Sequence, residues 1–89
     1  MTILELIRSR LATLDPVALH LVDDSHLHAG HAGAQSGGGH YALEIVSTVF
    51  VGRATIARHR MIYDLLGDLM PEHIHALSIT ARTPEESAL

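Results

Sequence analysis

Eight histidines and no cysteine make imidazole the metal-binding group this sequence has to offer. Three of them, His26, His28 and His31, fall within six residues, and His20 and His40 flank them. Neutral imidazole ligates zinc, copper and iron. The spacing H-x-H-x-x-H could chelate an ion, but it matches no closed structural zinc pattern with a second ligand pair. On spacing alone it fits a solvated loop without a ligand somewhat better.

His75 stands apart from that group. It shares one side of an expected strand with Leu77 and Ile79. One reading is a buried or half-buried histidine bonded to a neighbour, as polar groups in a core require. The other is a ligand held by a stiff strand while a loop brings a second ligand to it.

A basic group, Arg53, Arg58 and Arg60, surrounds His59. It reads either as a solvated helix face whose arginine stems cover apolar surface, or as a patch for phosphate and nucleic-acid backbone. A net charge of -4 opposes non-specific attraction to nucleic acid. Other chemistries find little support. Ser25 lacks a strained nucleophile turn. Gly37–Gly39 lacks the spacing and lysine of a phosphate loop. A chain of 89 residues has little volume for an enclosed substrate pocket. The expectation is a protein that is not an enzyme.

The elements that must position these groups follow from periodicity. Thr2 and Glu5 form a capping box ahead of a helix whose stripe is Leu4, Ile7, Leu11 and Leu14. Asp15-Pro16 ends it, and proline is expected to push Asp15 into an extended conformation. Residues 17–22 predict a strand with Val17, Leu19 and Leu21 on one face. Residues 26–39 carry five glycines and no periodicity, which predicts a flexible connection, mobile over 29–38.

A second strand is expected over 40–48, with Tyr41, Leu43 and Ile45 on one face. Glu44 on its other face implies partial solvation or an edge. Gly52 marks a turn into a helix over 54–69 that Gly67 could divide; Ile56, the Arg60 stem, Tyr63 and Leu66-Gly67 line one side of it, and Ile62, Leu65 and Leu66 supply most of its apolar face. Pro71 is a stop, residues 74–81 predict a third strand, and Thr83-Pro84 with Glu86 starts a short final helix. Short strands with amphipathic helices predict one domain over 1–89, with helices covering one face of a small mixed sheet. No stretch is long and apolar enough to span a bilayer, and no secretory pattern opens the chain, so no membrane partner and a cytoplasmic location are expected.

Several motifs together resemble the BolA family. They are Asp23-Asp24-Ser25-His26-Leu27-His28-Ala29-Gly30-His31-Ala32-Gly33, Gly39-His40-Tyr41, Val46-Ser47, Phe50-x-Gly52, Arg58-His59-Arg60-Met61-Ile62-Tyr63 and Ile74-His75-Ala76-Leu77-Ser78-Ile79. The resemblance spans essentially the whole chain. It implies an α+β, class II K-homology-like, two-layer fold of αββααβ order with a three-stranded mixed sheet. It also implies association with a monothiol glutaredoxin and a shared [2Fe–2S] cluster. The glutaredoxin and glutathione would supply thiolates. This chain would supply His75 and a loop ligand matching His28, with His31 and His26 as alternatives. Histidine ligation of one iron has a precedent in Rieske centres. The family's bacterial members are also described as transcriptional regulators affecting morphology and stress response. That leaves DNA as an alternative partner, through Arg53, Arg58, His59 and Arg60. The G-x-x-G loop by which K-homology domains clamp nucleic acid is absent.

Overall fold

The computed structural model describes residues 1–25, 39–70 and 72–88. The expected mobility of 29–38, the loop histidines His26, His28 and His31, and the Pro71 stop lie outside the described residues.

Helix α1 runs Ile3–Leu11. The Thr2 hydroxyl accepts the Glu5 amide at 3.1 Å, and the Glu5 carboxylate accepts the Thr2 amide at 3.4 Å, so the capping box forms. Ile7 and Leu11 are buried, and a 3₁₀ turn over Ala12–Leu14 adds Leu14 to the same stripe. Asp15 is not extended. It takes the left-handed conformation, φ 48° and ψ 56°, and its amide donates to the Ala12 carbonyl at 3.0 Å. A short polar side chain tolerates that region, and closing the last turn satisfies a carbonyl the helix end leaves over.

Strand β1 is Ala18–Asp23, β2 is Gly39–Val46 and β3 is Ile74–Arg82. The sheet order is β1-β2-β3, antiparallel between β1 and β2 and parallel between β2 and β3. The parallel pair needs a crossover, and helix α2, Thr55–Leu66, supplies it. A 3₁₀ turn at Thr48–Phe50 precedes α2 and a second at Gly67–Leu69 extends it, so Gly67 does mark a change of winding. Gly52 turns the chain toward α2 at φ 76°, a conformation that favours glycine. Helix α3, Pro84–Ser87, starts from Thr83 with its own capping box.

Alternation builds two layers. Leu21, Tyr41, Leu43 and Ile45 on the sheet meet Ile7, Leu11, Ile62 and Leu66 on the helices, with Phe50 buried among them. Val17 is exposed because it precedes the strand and does not join this face. Glu44 is exposed although β2 is the central strand, so it marks the open face of the sheet rather than an edge. Arg10 ties the helices together by donating to the Leu65 carbonyl at 3.0 Å and pairing with Asp68. Buried Ser47 ends β2. Its hydroxyl donates to the Leu14 carbonyl at 2.5 Å and accepts the Val49 amide at 3.2 Å. Among the described residues no helix is long and apolar enough to cross a membrane.

Candidate functional site

The parallel pairing brings the starts of β2 and β3 to one end of the sheet. There Gly39 pairs with Ile74, and the next residue, His40, pairs with Ala76. His75 therefore stands between two successive pairs as an extra residue in its strand. A bulge of this kind re-aims the side chain it releases. Ile74 and Leu77 both lie against the core, whereas His75 is exposed. The expected placement of His75 on the Leu77 and Ile79 side is thus corrected, and of its two readings the buried or half-buried one falls away. Strict alternation fails at the one place where the ladder slips.

His40 is beside it. The two imidazole ring centres are 5.2 Å apart, with planes tilted by 48°. The backbone around His40 is held on both sides. Its amide donates to the Ser25 hydroxyl at 3.0 Å, and its carbonyl accepts the Asp24 amide at 2.7 Å. The Ser25 amide donates to the Asp23 carboxylate at 2.9 Å. Asp23, Asp24 and Ser25 therefore do more than end β1: they lash it to the start of β2.

Gly39 has a specific reason to lack a side chain. A Cβ there would lie 2.6 Å from ring atoms of buried Tyr41. Burial, and then the charge of Asp23, push the Tyr41 hydroxyl above its ordinary pKa. The Gly39 amide donates to the His73 carbonyl at 3.2 Å, which joins the two strand starts directly.

An imidazole standing clear of its ladder on a packed strand is a suitable donor for a transition metal or for one iron of a cluster. Among the described residues no three histidine or acidic side chains converge as a complete metal site. His75 is present and accessible. The other sequence-predicted ligands, His28, His31 and His26, lie outside the described residues. Sequence reasoning missed His40 as the neighbour of His75. The available signal was its position at the head of a strand running parallel to the one that His75 begins.

The arginine group is divided by the fold. Arg58 is buried at 9% exposure. Its guanidinium meets both Glu86 carboxylate oxygens, at 2.6 and 3.1 Å, and also donates to the carbonyls of Arg53 at 2.8 Å and Ala81 at 3.1 Å. The Phe50 ring centre lies 6.0 Å from it. Hydrogen bonding from Arg58, with help from the Thr83 amide, lowers the Glu86 carboxyl to about 2. The adjoining hollow of about 330 Å³ is lined by Glu85 and Glu86 as well as Arg58, a poor setting for phosphate. His59 and Arg60 line a different hollow of about 350 Å³ with Ile56 and Tyr63. Arg53 is exposed and donates to the Val49 carbonyl at 3.1 Å.

Comparison with known proteins adds to this geometry. The family profile described as BolA-like protein matches residues 11–86. SufE-like protein 1, chloroplastic/mitochondrial, of Arabidopsis thaliana is 49% identical over 78 residues, covering 82% of this chain and 21% of that protein. The DNA-binding transcriptional regulator BolA of Escherichia coli is 38% identical over 87 residues, 97% of this chain and 80% of that one. The solved BolA domain of SufE1 from Arabidopsis thaliana has a TM-score of 0.77 at 48% identity, covering 90% of each chain. This chain thus spans about a fifth of the length of the SufE-like relative.

Proposed function

This chain belongs to the BolA family, a family of non-catalytic adaptors and regulators, and from that premise we propose a role in iron–sulfur cluster trafficking with a glutaredoxin partner. In finer detail, His75 and a histidine of the segment between β1 and β2, matched by resemblance to His28, ligate one iron of a [2Fe–2S] cluster. The partner and glutathione hold the other iron. The observation that carries this reading is the bulge that takes His75 out of the β3 ladder and leaves it exposed beside His40.

Two imidazoles are half a cluster site, so this chain needs the partner to keep the cargo. Imidazole in place of thiolate raises a cluster's reduction potential, which suits transfer or sensing more than storage. The protein's own contribution is to hold His75 on a packed strand and to keep its ring accessible.

Anaerobic reconstitution with a monothiol glutaredoxin and glutathione, followed by visible circular dichroism, tests the assignment. His75→Ala is expected to remove the signature of the mixed complex, His28→Ala to weaken or alter it, and His31→Ala to change little. An unchanged spectrum in His75→Ala contradicts the reading. Loss on His31→Ala but not on His28→Ala moves the second ligand within the loop.

A second reading, duplex DNA binding, is favoured by one observation, the description of the Escherichia coli relative as a DNA-binding regulator. Here it would rest on Arg53, His59 and Arg60, since the Arg58 fork is occupied by Glu86. Affinity should then fall as salt rises. Titration of labelled duplex with the Arg53→Ala/Arg60→Ala variant decides it: undiminished binding removes this surface from consideration.

A further inference from the structure

We propose that β1 pairs with the β1 of a second copy of this chain, antiparallel and centred on His20, so that two sheets join into one.

The edges of the sheet are β1 and β3. The phase of the ladder determines which backbone groups each edge leaves over. The Asp24 amide donates to the His40 carbonyl, and this pair continues the register of Val22 with Ala42, His20 with Glu44 and Ala18 with Val46. Bonded and non-bonded pairs alternate in an antiparallel ladder, so the even-numbered residues of β1 bond to β2. Leu19 and Leu21 therefore turn their amides and carbonyls away from the sheet. Among the described residues nothing takes these groups up. On β3 the corresponding set includes the Ala81 carbonyl, which Arg58 occupies, and a bulge interrupts the start of that strand.

Solitary edges are guarded by lysine, proline, a bulge or brevity. β1 has none of these. Ala18–Asp23 runs six residues in unbroken register, without proline, lysine or arginine, and its one charged residue stands last. Val22 is 52% exposed on its open face, and Leu19 is only half-buried at the rim of the core.

Self-complementarity chooses a second copy over a foreign strand. The pairing has to keep Leu19 and Leu21 on the helix side in both copies, because a slip of one residue would turn them out. Centred on His20, it sets Leu19 against the second copy's Leu21, twice, through the outward amides and carbonyls. Val22 meets Ala18, twice, on the open face. A centre at Leu21 would instead bring Asp23 opposite Leu19. A centre at Leu19 would run Val22 past the start of the facing strand. With the centre at His20, the two imidazoles form a pair without hydrogen bonds, and each stands beside Glu44 of its own chain. The row across the seam is Glu44, His20, His20, Glu44, so no two acids are neighbours.

β1 and β3 are opposite edges, so the joined sheet leaves both His75 side chains uncovered. The inference stands apart from the cluster reading.

Sedimentation equilibrium of the isolated chain, from micromolar to near-millimolar concentration, tests the pairing. The expected mass rises from that of one chain toward that of two. His20→Glu places four acids in one row and should weaken the dimer roughly tenfold or more, with the melt of the monomer unchanged. The wild-type chain has no cysteine, so single replacements report the register. The pairing puts the two His20 Cα atoms about 4.5 Å apart, within disulfide reach. It puts the two Ala18 Cα atoms about 13 Å apart, beyond it. Under a mild oxidant His20→Cys should cross-link as a dimer and Ala18→Cys should not. A wild-type chain that stays monomeric near millimolar concentration overturns the inference. An undiminished dimer in His20→Glu, or a cross-link through Ala18→Cys in preference to His20→Cys, overturns it equally. If His20→Glu fails to fold, the two cysteine variants decide.

Discussion

Strand β3 ends in two different ways. At its far end Arg58 from α2 reaches across to the Ala81 carbonyl and grips Glu86, while Thr83 caps α3. At its near end the ladder slips, Ile74 stays in the core, and His75 is released beside His40. Both ends carry groups capable of chemistry, but only the near end leaves one accessible. At the far end the charge is consumed in closing the fold, with carbonyls and a carboxylate occupying the guanidinium. A sequence motif that looks equally suited to binding at both ends thus proves structural at one and available at the other.

Breaking the far end should cost most. Arg58→Ala takes this donor from the carbonyls of Arg53 and Ala81 and leaves the Glu86 carboxylate to the Thr83 amide. Its Tm should fall on the order of 10 °C in a thermal melt followed by circular dichroism, while the imidazole signals of His40 and His75 stay where they are. A Tm within a degree of wild type would mean that this pair is ornamental.

Gly39→Ala attacks the near end through its backbone. The new Cβ must displace the buried Tyr41 ring, at a cost of about 1–3 kcal/mol in denaturant unfolding. It should also disturb the His40–His75 ring contact, visible as shifted imidazole signals. Thr83→Ala removes one half of a capping box and should cost about 1 kcal/mol, with the histidine signals unchanged.

Acid sharpens the same contrast. The Glu86 carboxyl is lowered from 4.5 to about 2 in the folded chain. A depressed carboxylate contributes stability that is complete above its unfolded value and is lost as pH falls through its folded value. Tm should therefore drop between pH 4.5 and about 2, and drop less steeply in Glu86→Gln. Parallel curves for the two proteins would contradict the assignment of that acid limb to Glu86. Smallest of all is the stability effect of His75→Ala, expected within about 0.5 kcal/mol because the side chain is exposed.

Much of this was legible in the chain because it is local. Thr2 with Glu5, and Thr83 with Glu86, announce their helices by spacing alone, and Leu4, Ile7, Leu11 and Leu14 announce a face. Tyr41, Leu43 and Ile45 revealed the inner side of β2 for the same reason. The misreadings arise where two distant segments meet. Whether Arg58 faces solvent depends on Glu86, 28 residues later, which no periodicity reports. The side to which His75 points depends on the register between β2 and β3, and a one-residue slip reverses it. The αL turn at Asp15 depends on the carbonyl it closes, a local detail that the proline rule alone does not supply. The family resemblance pointed to His75 where alternation misplaced it.

The most direct test joins stability and function in one preparation. His75→Ala is mixed with a monothiol glutaredoxin, glutathione, iron and sulfide, and the same sample of variant is melted alone. The expected result is a Tm equal to wild type and no visible circular dichroism from a mixed-ligand cluster. A folded His75→Ala protein that forms the wild-type cluster spectrum would contradict the claim that the released imidazole is the functional group of this chain.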